Sequence, residues 1–365
     1  MAVAGRIIDT AVHPALPDAQ ALREYMAEPF RSRSFFPGPT RQFYPPSSGE
    51  FRTDSAPDGR TQPGSDLGLL RRHVLEDGGA DLAILLPRTR GLLPDNDLAT
   101  EICAATNRWQ EMVLATEEGA GDAQLLGSIR INPQDPGAAI KEIDRWCDHP
   151  RMVQVAVPVQ SHHPYGQRMY YPIWEAAAER GLPVAIVADA GTGIELWPTM
   201  AGYPRNFVEY ATQYPLSFMY HLISLLAEGV LANLPALRVV FADGGFEVLA
   251  PIMWRFDKDW RGCRWETPWL TEPPSFYVTR QVRFTTTGFE NLENVQVDRW
   301  CDVSDAARLL LFASHYPSLS PFVSGLLTNS DGATRDAILG ANARDWYRLG
   351  ESAAGESCSE RRRSR

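Results

Sequence analysis

Short apolar runs alternate along this chain with longer segments in which apolar residues recur every three or four positions. The runs are rich in Val, Ile, Leu and Phe, which is typical of buried β-strands, and the longer segments predict amphipathic helices. One such helix, in YYPIWEAAAERGLPV, is expected to end at Gly181, with Pro183 opening the next strand. The predicted strands cover residues 6–13, 81–87, 124–131, 152–159, 183–188, 237–243, 281–287 and 308–314.

Eight strands alternating with helices predict an α/β fold, a (β/α)8 TIM barrel that forms one domain over residues 1–350. A doubly wound open sheet is the competing architecture, but no GxGxxG follows the first strand. Residues 28–66, rich in Pro, Gly, Ser and Arg, form a long insertion after strand 1. The insertion is either a surface loop or a lid, and its aromatic residues favour the lid. Residues 351–365 predict a disordered tail.

Composition narrows the class of protein. The 365 residues carry a net charge of −10, which argues against a nucleic-acid partner. The five cysteines are widely spaced and include no CxxC, so a reducing cytoplasm is expected. No apolar run approaches the ~20 residues that a membrane span needs, and the N-terminus lacks the pattern of a signal peptide. We therefore expect a cytoplasmic protein that acts on a small molecule, without nucleic-acid or membrane partners.

Polar residues stand near the carboxyl ends of most predicted strands, where a barrel gathers its reactive groups. Two histidines and an acid on three separate strand ends would converge on one pocket. The residues concerned are His13, Arg130, Gln154, Ser161, His162, His163, Asp189, Asp243, Thr285 to Thr287 and His315.

Several segments resemble the amidohydrolase-related (amidohydrolase 2) family, which includes aminocarboxymuconate semialdehyde decarboxylase. They are IIDTAVHP, LGSIRINPQDP, LAEGVLANLPALRVVFADGGFEVLAPIMWRFDKDW and LLLFASHYP, and the similarity extends from residue 6 to about residue 348. The resemblance implies a (β/α)8 barrel, a metal-dependent hydrolase or decarboxylase that uses zinc or manganese, and a homo-oligomer, commonly a dimer.

The chain departs from the family pattern at four positions that the resemblance assigns to the metal. Ala11 and Val187 replace metal-binding residues, Asp243 stands where the family has His or Glu, and His315 stands where it has Asp. A catalytic zinc needs about three protein ligands. Ala11 and Val187 have no side-chain atom that can bind a metal. Their presence predicts an active site without a metal or other cofactor. The alternative is a zinc or manganese ion held by His13, Asp243 and His315.

The residues therefore predict an enzyme that uses acid–base chemistry, with His13 and His315 as acid and base and Asp243 orienting one of them. Decarboxylation, dehydration, cyclisation or isomerisation of a small carboxylate or carbonyl compound, in secondary metabolism, would suit this site. The residues expected to bind the substrate are Arg130, Gln154, His162, His163 and Arg168. Two alternatives remain: a metal-dependent hydrolase or decarboxylase with an unusual His/Asp/His site, and a catalytically inactive binding or partner protein.

Overall fold

The computed structural model describes residues 7–18, 20–33, 51–58, 61–89, 93–116, 124–189, 204–286, 305–318 and 331–349. Within them eight parallel strands follow one another in sequence order, each paired with the next, which confirms the predicted (β/α)8 barrel. The strands are β1 Ile8–Val12, β2 Leu82–Leu85, β3 Leu125–Arg130, β4 Met152–Pro158, β5 Val184–Val187, β6 Val239–Phe241, β7 Val282–Thr285 and β8 Leu310–Leu311.

Helices surround the barrel. They are α1 Leu67–Arg71, α2 Asn96–Ala115, α3 Pro136–Trp146, α4 Tyr171–Glu179, α5 Phe207–Gln213, α6 Pro215–Ala227, α7 Val230–Asn233, α8 Phe246–Gly262, α9 Pro274–Gln281, α10 Ala306–Leu309, α11 Gly332–Asp336 and α12 Asn342–Tyr347. Ala21–Tyr25 and Arg168–Tyr170 form 3-10 turns, and Arg72–Glu76 and Ala337–Ala341 form π turns. Aspartates cap several helices: Asp135 accepts from the backbone N–H of Ala138 at 3.0 Å, and Pro136 begins α3.

Alternate strand residues face different parts of the core, as the period of a β-strand requires. In β4, Val155 and Val157 pack in the large cluster between strands and helices, whereas Ala156 belongs to a second cluster. That second cluster includes Ala185 and Val187 of β5 and other alternate strand positions, so it fills the inside of the barrel.

The end of the barrel opposite the strands' carboxyl ends is closed by α12. Trp346 and Tyr347 of this helix are buried in the interior cluster. Tyr347 donates its hydroxyl to Gln154 Oε1 at 2.9 Å, and Gln154 Nε2 donates to Ser128 Oγ at 2.9 Å. Gln154 therefore lies inside the barrel with both ends of its amide bonded to protein.

The barrel closes through hydrogen bonds between the segment that contains β8 and the segment that contains β1. The N–H of Thr10 donates to Phe312 O at 2.9 Å. Further along, His315 N donates to Ala11 O at 3.1 Å, and His13 N donates to Tyr316 O at 2.7 Å. These bonds place the loop after β8 directly beside the end of β1.

Part of the predicted insertion packs on that loop. Phe51 forms an antiparallel bridge with Ser318, and the N–H of Arg52 donates to Pro317 O at 3.0 Å. The aromatic residues that favoured a lid, Phe35, Phe36, Phe43 and Tyr44, lie outside the described residues, so the lid stays a prediction. The predicted tail, residues 351–365, also lies outside them. Among the described residues, no helix is long and apolar enough to span a membrane.

Candidate metal centre

Three predicted site residues meet at the carboxyl ends of the strands. Asp243 Oδ1 lies 3.0 Å from His315 Nδ1 and 3.3 Å from His13 Nε2, and the two imidazole nitrogens are 3.4 Å apart. His13 follows β1, Asp243 follows β6 and His315 follows β8. All three side chains are buried, with ring stacking between the histidines at a centroid distance of 5.6 Å.

Asp243 is held in place by a hydrogen bond from the neighbouring strand and by the turn that follows it. Its Oδ2 accepts the N–H of Ala188, after β5, at 2.7 Å, which leaves Oδ1 facing the imidazoles. The following turn into α8 favours glycine, because Gly245 has a φ of +102°, a conformation that residues with a side chain rarely adopt. The Gly-Gly pair therefore allows β6 to deliver Asp243 to the barrel mouth and then turn sharply.

His315 has a backbone conformation that is rare for a residue with a side chain. Its φ is +52°, in the left-handed region, and it is held there by the bond from its N–H to Ala11 O at 3.1 Å. Ser318 N donates to His315 O at 2.8 Å and closes the turn. Such conformations cost about 1–3 kcal/mol and concentrate at functional sites. Here the conformation turns the imidazole toward Asp243.

The tautomer of His13 follows from its contacts. His13 Nδ1 lies 2.8 Å from the carbonyl oxygen of Leu86, which can only accept, so Nδ1 carries the proton. His13 Nε2 then presents a lone pair to Asp243 Oδ1. A second-sphere carbonyl that fixes the ring in this way is typical of metal-binding histidines.

Burial and charge set the protonation states. Burial lowers the pKa of His13 to about 4, and the positive charge of Arg88 acts in the same direction. Burial alone would raise the pKa of Asp243, but its electrostatic interactions with His13 and Arg88 and its close contacts with both histidines hold that pKa well below its usual range. A neutral imidazole and an ionised carboxylate are the forms that bind metals.

The donor set suits a divalent ion. One ligand atom from each of His13, Asp243 and His315 lies within 4.8 Å of the others, and all three residues are buried. Two imidazole nitrogens and a carboxylate oxygen are ligands that zinc and other first-row metals accept. The three facing atoms, two imidazole nitrogens and one carboxylate oxygen, can all accept. A cation placed among them would relieve the repulsion between their lone pairs.

Arg88 was not foreseen from the sequence, although it follows the apolar run of β2 as the other candidates follow theirs. Its Nη2 lies 3.6 Å from Asp243 Oδ1, and the side chain is 26% exposed. Its Nε is buried without a hydrogen-bond partner among the described residues. Two further buried residues near the strand ends were also missed, Asp9 and Gln160.

The predicted substrate-binding residues are scattered. Arg130 is fully buried, and its Nη2 lies 2.6 Å from Asp189 Oδ2, with a further bond to Thr89 Oγ1 at 2.8 Å. His162, His163 and Arg168 are exposed, in the stretch between β4 and α4. Arg130 and the interior Gln154 are bonded to residues other than the His/Asp/His group: Asp189 and Thr89 for Arg130, Ser128 and Tyr347 for Gln154. Their role in substrate binding stays a prediction.

A parallel barrel with a buried His/Asp/His group at the carboxyl ends of its strands has the architecture of a metal-dependent barrel enzyme. The chain belongs to the amidohydrolase family, whose model, described as Amidohydrolase, matches residues 8–349. This confirms the resemblance seen in the sequence. No curated protein matches the chain in a sequence search.

Solved structures with the same fold include several decarboxylases. The 2,6-dihydroxybenzoate decarboxylase from Rhizobium is 19% identical, with a TM-score of 0.63 over 94% of this chain and 99% of the other. The 5-carboxyvanillate decarboxylase from Novosphingobium aromaticivorans, with bound manganese, is 19% identical, with a TM-score of 0.69 over 94% and 97%. An amidohydrolase from Mycobacterium avium is 17% identical, with a TM-score of 0.70 over 95% and 98%.

The prediction of a site without a metal cofactor is wrong. The inference rested on Ala11 and Val187, which cannot bind an ion, but the three remaining residues bring their ligand atoms together in one buried group. Two of the structural neighbours, both decarboxylases, hold manganese. The change at two positions in the sequence therefore still leaves a buried group that could hold an ion, because ligation depends on which atoms converge in space.

Proposed function

We propose that this chain is a metal-dependent decarboxylase of a small aromatic carboxylate. The observation that carries the proposal is the convergence of ligand atoms from His13, Asp243 and His315 within 4.8 Å. Membership of the amidohydrolase family and the decarboxylases among its structural neighbours support the same reaction class.

His13, Asp243 and His315 would hold the ion, with His13 Nε2, Asp243 Oδ1 and His315 Nδ1 as the nearest atoms. A divalent ion supplies a Lewis acid that polarises a carboxylate or phenolate oxygen of the substrate. Leu86 O and Ala188 N keep the His13 and Asp243 donors pointed at the same place. The buried apolar side chains of Ala11 and Val187 exclude water beneath the group.

Decarboxylation replaces a carboxyl group by a proton, so the site must also move a proton. His315 Nδ1 approaches Asp243 Oδ1 to 3.0 Å, the closest contact of the three. We assign the proton transfer to His315, because its imidazole has a second ring nitrogen, Nε2, that can carry a proton when Nδ1 faces the ion. Placement of the reaction in secondary metabolism rests on the divergence of the sequence alone.

The experiment is a turnover assay with the chain loaded with manganese or zinc. The panel comprises 2,6-dihydroxybenzoate, 5-carboxyvanillate and other hydroxybenzoates, and released CO2 is measured. We expect turnover with at least one substrate and a loss of about 100-fold or more in Asp243→Asn and His315→Gln. Arg255→Met is the matched control, because this side chain on α8 is 72% exposed and pairs with Asp259. A metal-loaded chain that decarboxylates none of the panel, or variants as fast as the parent, would refute the proposal.

A further inference from the structure

Arg88 brings a positive charge from the second strand across the barrel mouth. It stands in the loop after β2, and its Nη2 is 3.6 Å from Oδ1 of Asp243, after β6. That distance joins two opposite charges but is too long for a hydrogen bond. Arg88 therefore forms a loose ion pair with the candidate metal centre and is not hydrogen-bonded to it.

The guanidinium of Arg88 is poorly satisfied for a group in this position. Its Nε is buried and has no hydrogen-bond partner among the described residues. A buried N–H without an acceptor is unfavourable. The guanidinium of an arginine carries five N–H donors in a rigid, planar arrangement. The side chain is 26% exposed, so part of the fork is reachable from the mouth. An unsatisfied, partly accessible cation beside an active centre is a binding group for an anion.

Arg130, another arginine near the strand ends, differs from Arg88 because it has a close and fully buried ion-pair partner. Arg130 also has two unpartnered nitrogens, Nε and Nη1, but its Nη2 lies 2.6 Å from Asp189 Oδ2 and its side chain is 0% exposed. The charge of Arg130 is neutralised by Asp189, and separating the pair would leave a buried carboxylate without its counter-charge. Arg88 shares its only described ion-pair partner, Asp243, with two imidazoles.

We infer that Arg88 is the specificity-determining residue that binds the carboxylate of the substrate. This inference rests on the proposed function, because it names the group that recognises the substrate at the same centre. Arginine matches the planar, two-oxygen geometry of a carboxylate, which a lysine ammonium does not. The ligand class that Arg88 selects is therefore a carboxylate anion, and its aromatic ring follows from the proposed function.

The test is an equilibrium titration, so it does not depend on turnover. Benzoate and salicylate are titrated calorimetrically into the metal-loaded protein, with benzamide as the neutral probe of the same shape. Metal content is measured in every sample. The variants are Arg88→Met, Arg88→Lys and, as the matched control, Arg255→Met.

We expect Arg88→Met to weaken benzoate and salicylate binding by about 10- to 100-fold, the contribution of a charge-assisted hydrogen bond. The carboxylate affinity of Arg88→Lys should lie between those of the wild type and Arg88→Met. The affinity for benzamide should be the same in all three proteins, and the variants should hold as much metal as the wild type. Carboxylate binding that is unchanged in Arg88→Met would overturn the inference. Loss of the metal in Arg88→Met would also overturn it, because Arg88 would then be a positioning residue for Asp243. If carboxylates bind through Arg88 but none is decarboxylated, the proposed function fails and this inference stands.

Discussion

At the scale of single residues, the centre is defined by atoms that the chain holds close together although they accept rather than donate. His13 Nε2 and Asp243 Oδ1 are 3.3 Å apart, and Leu86 O and Ala188 N fix the orientation of each side chain. Such preorganisation has a cost in the folded chain without an ion, and binding of an ion would remove that cost.

Asp9 shows how burial acts on a residue near this centre. Its Oδ1 accepts the N–H of Ser314 at 3.0 Å and that of Ala11 at 3.3 Å, while Oδ2 is buried without a partner among the described residues. Burial raises the pKa of Asp9 from 3.8 to about 6. The folded chain thus holds this proton more tightly than the unfolded chain does, and the wild type loses stability as pH rises from about 4 to about 6.

Asp9→Asn keeps the acceptor oxygen and removes the titration. We expect the melting temperature of the variant, relative to wild type, to rise between pH 4 and pH 7, both measured with a metal chelator present. The change corresponds to a free energy on the order of 3 kcal/mol. A difference between the two proteins that stays constant over this range would contradict the assignment.

Residue patterns predicted the members of the centre, but they gave a bound metal only as the alternative to a metal-free site. Apolar runs ending in His13, Asp243 and His315 identified all three, because strand ends of a barrel converge. Arg88 ended a run of the same kind and was missed. Whether three ligands are close enough to share an ion depends on distances of 3.0–3.4 Å, and these come from loop conformations such as the φ of His315.

At the scale of elements, buried polar contacts hold the strands in position around the mouth. Arg130, at the end of β3, pairs with Asp189, beyond β5, and the pair passes the end of β4. Removing one partner of a buried ion pair leaves the other charge uncompensated.

We therefore expect Arg130→Met to lower the free energy of unfolding by about 3–5 kcal/mol, measured by urea denaturation at pH 7. The double variant Arg130→Met with Asp189→Leu should recover part of that loss, because no buried charge remains. A single variant as stable as wild type would show that the pair does not hold the strands.

The contact between α12 and the barrel interior gives a second element-scale prediction. Tyr347→Phe leaves Gln154 Oε1 buried without its donor and should cost about 1–3 kcal/mol in unfolding free energy. Turnover and metal content should be unchanged, because this contact lies at the end of the barrel closed by α12. A fall in substrate affinity with unchanged stability would instead support the sequence-based assignment of Gln154 to substrate binding.

Element existence was easier to predict than element length. All eight strands occur where the apolar runs stand, but the run at residues 308–314 contains a strand of only Leu310–Leu311, preceded by α10. An apolar run indicates that residues are buried, not which structure they form. Here the buried residues belong to the end of a helix, a short strand and the loop that contains His315. The bonds of that loop to β1 involve residues some 300 positions apart, which no local pattern encodes.

At the scale of the whole molecule, the centre ties together β1, β6 and β8, so an ion there should stabilise the entire barrel. We expect the melting temperature to rise with manganese or zinc concentration. The gain in unfolding free energy is about 2.7 kcal/mol when free metal exceeds the dissociation constant 100-fold. The rise should disappear in His13→Ala, and a rise of equal size in that variant would place the ion elsewhere. The cytoplasmic location and the homo-oligomer stay predictions.

Metal binding by the purified chain decides whether His13, Asp243 and His315 form a metal centre. Chelator-treated protein is titrated with manganese and with zinc by calorimetry, and bound metal is counted by mass spectrometry. We predict one ion per chain, lost in Asp243→Ala and His13→Ala and kept in His149→Gln, whose half-buried imidazole precedes β4 at the other end of the barrel. A wild-type chain that takes up no ion, or variants of Asp243 and His13 that bind it as tightly as wild type, would show that these residues do not form a metal centre.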